Sequence, residues 1–322
     1  MAILAGIDEA GFGPTLGPLA VTGVAFRVPD RSIGQCLWTT LRATCGKDLT
    51  KKTNRLIITD SKKLYHARAG LGALERAALV MLAARGGGDR PTSWRALLTS
   101  LAPGAVELLD QYPWYAGADV SLPLTEETGD IGTRANAVRK DCHDHGIALQ
   151  GIHSELLPAG HYNRLVSNTR NKSVVLLGLA LRVVDRMMRI APDERVRLYV
   201  DRLGGRIRYR EALMTAMAGY ELTIVEETSE RSAYRLVRSE RTCEIAFVTG
   251  GDARHFPVAL ASVYSKYLRE VQMHVFNRYW GERVEGLRPT AGYYSDAQRW
   301  LRDTAEELAK GPFDRAMLVR ER

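Results

Sequence analysis

Cysteine is scarce in this 322-residue chain: Cys36, Cys45, Cys142 and Cys243 are the only four, and no two form a C-x-x-C pair. That argues against a disulfide framework or a zinc cage of paired thiolates, and suits reduced cytosolic thiols. Long hydrophobic runs are missing as well. The most apolar stretch, Val174 to Leu181, stops at Arg182 and is too short to span a bilayer. No signal peptide opens the chain, because strand-like sequence carrying Asp8 and Glu9 occupies its start. The expected location is therefore cytoplasmic, with no membrane partner. Histidine clusters, internal repeats and low-complexity tracts are absent too, which leaves neither an imidazole-based metal site nor a solenoid to consider.

What is present is ordinary for a soluble globular protein: 45% hydrophobic and 25% charged residues. The length allows one elaborated domain or two. Lysine and arginine (45) exceed aspartate and glutamate (37), and the net charge of +8 favours a polyanionic partner.

Residues 2–8 and 18–28 read as two strands joined by a Gly-Pro-rich loop at 11–18. Further strands are predicted at 56–58, 147–152, 196–201, 222–225 and 245–248. Helices are predicted at 67–84, 171–190 and 257–280. The last has apolar residues at 260, 263, 264, 267, 268, 271 and 275, and Pro257 in its first turn. Strands and helices alternate in the second half, which predicts an α/β sheet. Between residues 67 and 145 the pattern weakens, and this stretch reads as an insertion or small subdomain.

Three strand ends carry acids. Asp8 and Glu9 follow the apolar Leu4-Ala5-Gly6-Ile7 and precede Gly11-Phe12-Gly13-Pro14; Asp201 ends 196–201; Asp252 follows 245–249 and Gly250-Gly251. Charge at a buried strand is costly unless compensated. In open α/β sheets, sites gather at the carboxyl ends of strands. Four acids meeting there repel one another unless divalent cations neutralise them. An all-oxygen donor set favours magnesium or manganese over zinc, and two such ions about 4 Å apart suit phosphodiester hydrolysis. Successive side chains of a strand face opposite sides, so Asp8 and Glu9 share a metal only if the strand distorts near its end.

Other residues keep two readings each. Lys62 and Lys63, after the strand at 56–58, hold phosphate or lie on a solvated loop. Lys266 and Arg269 face the site or form surface ion pairs. Arg231, Arg235, Arg238 and Arg241 make a basic stripe if 230–241 is helical, or lie on a solvated face. His255 assists proton transfer or is structural. Trp94, Trp114 and Tyr115 stack on bases or form the insertion's core.

In this order the residues resemble ribonuclease HII, the type 2 branch of the ribonuclease H family. The family's Asp-Glu-Ala-Gly-Arg-Gly-Pro is matched by Asp8 to Pro14, and its Asp-Ser-Lys-Lys-Leu by Asp60 to Leu64. Its third acid is matched by Asp201 and its fourth by Asp252, before the Ala-Ser-rich helix with Lys266 and Arg269; its late Gly-Tyr is matched by Gly292-Tyr293. The resemblance covers residues 1–65 and about 146–300. It implies a ribonuclease H-like fold, a mixed central sheet flanked by helices, interrupted by the 67–145 insertion. It implies that Asp8, Glu9, Asp201 and Asp252 bind two Mg2+ or Mn2+ ions and carry catalysis. It also implies that Gly11, Phe12, Gly13, Lys62, Lys63 and Tyr293 contact the substrate. The implied partner is an RNA/DNA hybrid or ribonucleotide-containing duplex, with no obligate protein partner, and the implied reaction leaves a 3′-hydroxyl and a 5′-phosphate. The sequence departs from the family where Phe12 replaces the loop arginine and Arg202 replaces the glycine after the third acid. These departures keep two alternatives open: a metal nuclease acting on DNA or branched structures, and a non-catalytic nucleic-acid binder. With strand-like sequence at the start of the chain, the expected arrangement is not that of ribonuclease HIII, which places a substrate-binding domain before the first strand.

Overall fold

Nine apolar-rich residues, Ala2–Ala10, form the central strand β1 of the protein, described here from a computed structural model that covers residues 1–49, 53–65, 70–86, 90–126, 128–311 and 313–321. The other strands are β2 (Leu19–Val28), β3 (Cys45–Gly46), β4 (Leu56–Ile57), β5 (Ala148–Leu157), β6 (Arg195–Asp201), β7 (Glu221–Glu227), β8 (Arg231–Arg238) and β9 (Arg241–Val248). Seven of them build one mixed sheet in the order β5-β2-β1-β6-β9-β8-β7, while β3 and β4 pair separately. In the large sheet β1, β6 and β9 run parallel and the remaining pairs are antiparallel. The expected mixed α/β sheet flanked by helices is what the chain forms.

The longer helices are α1 (Gly72–Arg85), α2 (Thr128–Asp144), α3 (Ala159–Thr169), α4 (Lys172–Met188) and α5 (Phe256–Gly281). They divide between the two faces of the sheet. Ile3, Ala5 and Ile7 of β1 pack in one apolar cluster with Leu176, Ala180 and Val183 of α4, and Ala2 and Leu4 pack in a second with α5. Burial on both faces explains why β1 reads as a near-continuous apolar run. Gly6 fixes the closest contact: a Cβ there would lie 2.2 Å from Val258 N and 2.3 Å from Pro257 C, so the first turn of α5 rests on the backbone of β1. That contact carries the start of α5, and with it Asp252, to the end of β1.

α5 is the predicted 257–280 helix, and all seven of its periodic apolar positions are fully buried. Its polar positions as far as Gln272 are buried as well, because α1 and α2 share the α5 cluster, while His274 and Arg278 are exposed. Trp94, Trp114 and Tyr115 lie in that cluster, and Trp114 meets Phe276 edge-to-face at 5.7 Å. They are core residues with no face left for a base. Residues 66–69, at the start of the helix predicted from 67, lie outside the described residues.

Residues 230–241 are strands rather than a helix. Ser232, Tyr234 and Leu236 alternate into the core in period two, so Arg231 and Arg235 share a sheet face that Arg238 leaves, and no helical stripe forms. That alternation was present in the sequence. β4 falls within the strand predicted at 56–58, whereas its partner β3 was not predicted, because a two-residue strand carries no periodic signal. Among the described residues no helix is long and apolar enough to cross a membrane.

Candidate active site

Parallel register sets the site. Ile7 of β1 pairs with Val200 of β6, so the next step brings Asp8 alongside Asp201 at the carboxyl ends of the two central strands. Asp8 is buried and its Oδ1 accepts the Glu9 N–H at 2.7 Å, while its main-chain carbonyl accepts the Ser265 hydroxyl of α5 at 2.9 Å. Asp201 Oδ1 accepts the Gly251 N–H at 2.7 Å, which ties β6 to the loop that carries Asp252. Gly251 is confined there, since an added Cβ would sit 2.9 Å from Val248 and 3.3 Å from that same Oδ1.

β1 does not distort at its end: Asp8, Glu9 and Ala10 pair in unbroken register with Thr22, Val21 and Ala20. The strand stays regular through Asp8 and Glu9, yet their two carboxyl groups come close enough to interact directly. What couples them is charge in a dry place. Burial pushes the Asp8 carboxyl well above its ordinary value, and the Glu9 and Asp201 carboxylates push it further. Burial, then Asp201, raises Glu9 from 4.5 to about 7. Burial raises Asp201, with Asp252 adding to it against the Gly251 N–H; burial and then Asp60 raise Asp252 against the Ala253 N–H and the charges of Lys62 and Lys63.

Among the described residues no three carboxylate, imidazole or thiolate groups are gathered into a metal cage. The donor chemistry nonetheless fits a hard divalent cation. All four groups present oxygen, each is held toward its neutral form by burial and then by neighbouring carboxylates, and Glu9 Oε2 is buried without a hydrogen-bond partner.

This electrostatic arrangement sets a stability trend for the metal-free protein. A folded-state value of about 7 against an ordinary 4.5 means the native state holds the Glu9 proton more tightly than the unfolded chain. The contribution is complete below the ordinary value and is lost as pH rises through 7. In chelator, Glu9→Gln is expected to flatten the fall of melting temperature between pH 5 and 8 and to raise it by about 3 °C at the upper end. A variant whose pH slope matches the parent's would refute the assignment.

Around the acids, Asp60 caps the short helix Ser61–Leu64 by accepting the Lys62 N–H, and so places exposed Lys62 and Lys63 beside the site. The Lys62 charge acts on Glu9, Asp201 and Asp252. Asp60, quoted in the sequence motif but not assigned to the site, is thus a fifth carboxylate at its edge. Gly11 holds φ +88°, where a Cβ would strike Pro18 O at 2.4 Å; Gly13 faces open space. Phe12 packs at the margin of the α4 cluster with the Lys172 ammonium 5.6 Å from its ring centroid, so its ring belongs partly to the fold. Tyr293 is half exposed, and its ring centroid lies 5.7 Å from the Arg269 guanidinium.

Lys266 and Arg269 are neither surface ion pairs nor groups open to the site. Both are buried and both donate to Glu270 Oε1 at 2.7 Å; Arg269 also donates to Ala291 O at 2.7 Å, bracing the segment before Tyr293. The His255 ring stacks on Tyr199 at 3.6 Å, and burial followed by the charges of Arg254 and Arg231 pushes it down to about 4. Burial holds it toward the neutral form, and it occupies the N-cap position of α5 without a side-chain capping bond. Sequence reasoning missed Arg320 altogether. This arginine, 3% exposed, donates to the carbonyls of Gly11 and Phe12 across the fold, and no local pattern announces it.

No protein-family model matches the chain, and no curated protein is detectably similar to it. Solved structures are. The ribonuclease HII of Archaeoglobus fulgidus, seen in its complex with PCNA, is 15% identical with a TM-score of 0.44, over 99% of this chain and 94% of that one. The ribonuclease H2 of Pyrococcus horikoshii is 15% identical with a TM-score of 0.44, over 99% and 92%. A Bst ribonuclease HIII with Mn2+ is 15% identical with a TM-score of 0.44, over 99% of this chain and 66% of that one.

Proposed function

We propose that this protein is a divalent-metal-dependent endonuclease that hydrolyses the RNA strand of RNA/DNA hybrids, leaving a 3′-hydroxyl and a 5′-phosphate. The observation that carries the reading is the placement of Asp8 one step beyond the Ile7–Val200 pair, within reach of the Asp201 charge at the ends of two parallel strands, with Asp252 held next to them through Gly251. Mutually repelling, half-dry carboxylates have no structural use that a neutral side chain would not serve better. Asp8, Glu9, Asp201 and Asp252 are the residues that would hold Mg2+ or Mn2+. When bound there, such ions supply Lewis acidity for charge developing on a phosphodiester. The chain's own groups do the rest. Lys62 and Lys63 offer ammonium groups to the backbone phosphates. Backbone N–H groups of the Gly11–Gly13 loop meet the 2′-hydroxyl that separates RNA from DNA. Tyr293 offers an exposed ring to the sugar or base at the same edge. Water adds to phosphorus as the bond to the 3′-oxygen breaks.

Phe12 favours a second reading, because its phenyl ring brings no cation to the loop. Under that reading the same metal chemistry acts on plain or branched DNA. A panel of RNA/DNA hybrid, single-ribonucleotide duplex, DNA duplex and junction, with magnesium and with manganese, separates the two. Cleavage confined to the ribonucleotide-containing substrates is expected. Equal cutting of DNA would install the second reading, and salt-dependent binding with no metal-dependent cleavage would leave only a binder.

A further inference from the structure

We infer that Arg320 is a positioning residue that sets the Gly11–Phe12–Gly13 loop with its N–H groups toward the substrate. The inference rests on the hybrid-nuclease reading for what the loop meets, but the geometry stands without it. The Arg320 guanidinium donates to the carbonyl of Gly11 and, at 3.0 Å, to that of Phe12. The only cis peptide bond among the described residues is Leu122–Pro123, so the peptides joining Gly11 to Phe12 and Phe12 to Gly13 are trans. In a trans peptide the C=O and N–H point in opposite directions. Turning both carbonyls onto one buried guanidinium therefore turns the N–H groups of Phe12 and Gly13 away from it. Among the described residues neither N–H has an acceptor in the protein, and Gly13 faces open space. Two adjacent, unspent donors make a concave seat for an oxygen acceptor.

The anchor is itself well held. Its backbone N–H donates to Thr15 O at 2.8 Å, Leu16 bridges Val319, and the guanidinium lies 4.1 Å from the Tyr162 ring centroid. Asn163 of α3 grips the same terminal segment, donating to Ala316 O and Val319 O and accepting the Glu321 N–H. On the far side, Gly292 O accepts the N–H groups of Thr15 and Leu16, so the loop is clamped between the chain's last residues and the segment before Tyr293. Phe12 brings no cation to the loop. Here the cation comes from behind, at position 320, and acts on the backbone.

The test compares Arg320→Met and Arg320→Lys with the parent. Hydrogen exchange is read in peptides covering 2–9 and 10–17. Affinities for a hybrid and a DNA duplex of one sequence are read with magnesium in an Asp8→Asn background, which keeps the strand intact. Arg320→Met is expected to speed exchange in 10–17 but not in 2–9, and to cut the preference for hybrid over DNA by about fivefold, with DNA affinity nearly unchanged. Arg320→Lys, which keeps the charge but not the fork, falls between and decides the matter if the methionine variant does not fold. Unchanged exchange in 10–17, or equal loss of both affinities, overturns the inference. A parent that neither cleaves nor prefers hybrid overturns the nuclease reading instead, and exchange alone then judges Arg320.

Discussion

Asp8→Asn is expected to lower metal-dependent cleavage of an RNA/DNA hybrid by about 10³-fold or more while leaving the fold intact. The amide keeps an oxygen for the Glu9 N–H, now accepted at 2.7 Å, and fits the same volume. It removes the charge that burial and the neighbouring Glu9 and Asp201 carboxylates oppose. Loss of one anionic ligand weakens the hold on a divalent cation and the electrostatic stabilisation it gives, an effect of several kcal/mol on a barrier where each 1.4 kcal/mol or so is tenfold. Stability should move the other way. Without metal at neutral pH, the variant is expected to melt no lower than the parent, because a disfavoured buried charge is gone. Initial rates with magnesium and a thermal melt in chelator check both halves. Full activity in Asp8→Asn would remove this carboxylate from the chemistry, and with it the proposed function.

The largest effect on folding is expected from a different acid. Glu75 of α1 is fully buried and takes five hydrogen bonds: the N–H groups of Leu124, Thr125 and Glu126, the Thr125 hydroxyl, and the Tyr267 hydroxyl of α5. Four of these lie between 2.7 and 2.8 Å. Glu75→Ala strands all of these donors at once, and a donor left unsatisfied inside a protein costs more than its bond contributed. A loss of about 3–5 kcal/mol is expected in denaturant unfolding, or roughly 5–8 °C in melting temperature for a chain of this length. Glu75→Gln, which keeps the shape and one acceptor oxygen, should lose less than half of that. Equal losses in the two variants would mean that side-chain packing, not the hydrogen-bond cluster, carries the effect. Because Tyr267 shares α5 with Lys266 and Arg269, loosening this joint is also expected to reach the segment before Tyr293.

The two acids differ in how they could be read. Asp8 sits in a segment whose apolar run, glycines and following turn already mark a strand end, and the same is true of Asp201 and Asp252. Local patterning also places α5, since its seven periodic apolar residues all enter the core. Glu75 gave no such sign. Its partners lie about fifty residues away at 124–126 and 192 residues away at Tyr267, and only tertiary packing brings them together. Lys266 and Arg269 illustrate the same limit. Helical spacing put them one turn apart, but whether that face met solvent or another layer depended on what folded over it.

From the sequence alone came the alternating α/β pattern, the four acids at strand ends and the order of motifs around them. Each is a property of neighbours along the chain, where side-chain period and turn chemistry act within a few residues. The tertiary structure decided the rest: that Asp8 stands beside Asp201 through parallel register, that the Asp8 and Glu9 carboxyls meet without a break in the strand, and that Arg320 reaches back to Gly11. Those facts depend on contacts between residues far apart in sequence, and hydrophobic burial, being non-directional, leaves no local trace of which distant partner will fill a given place.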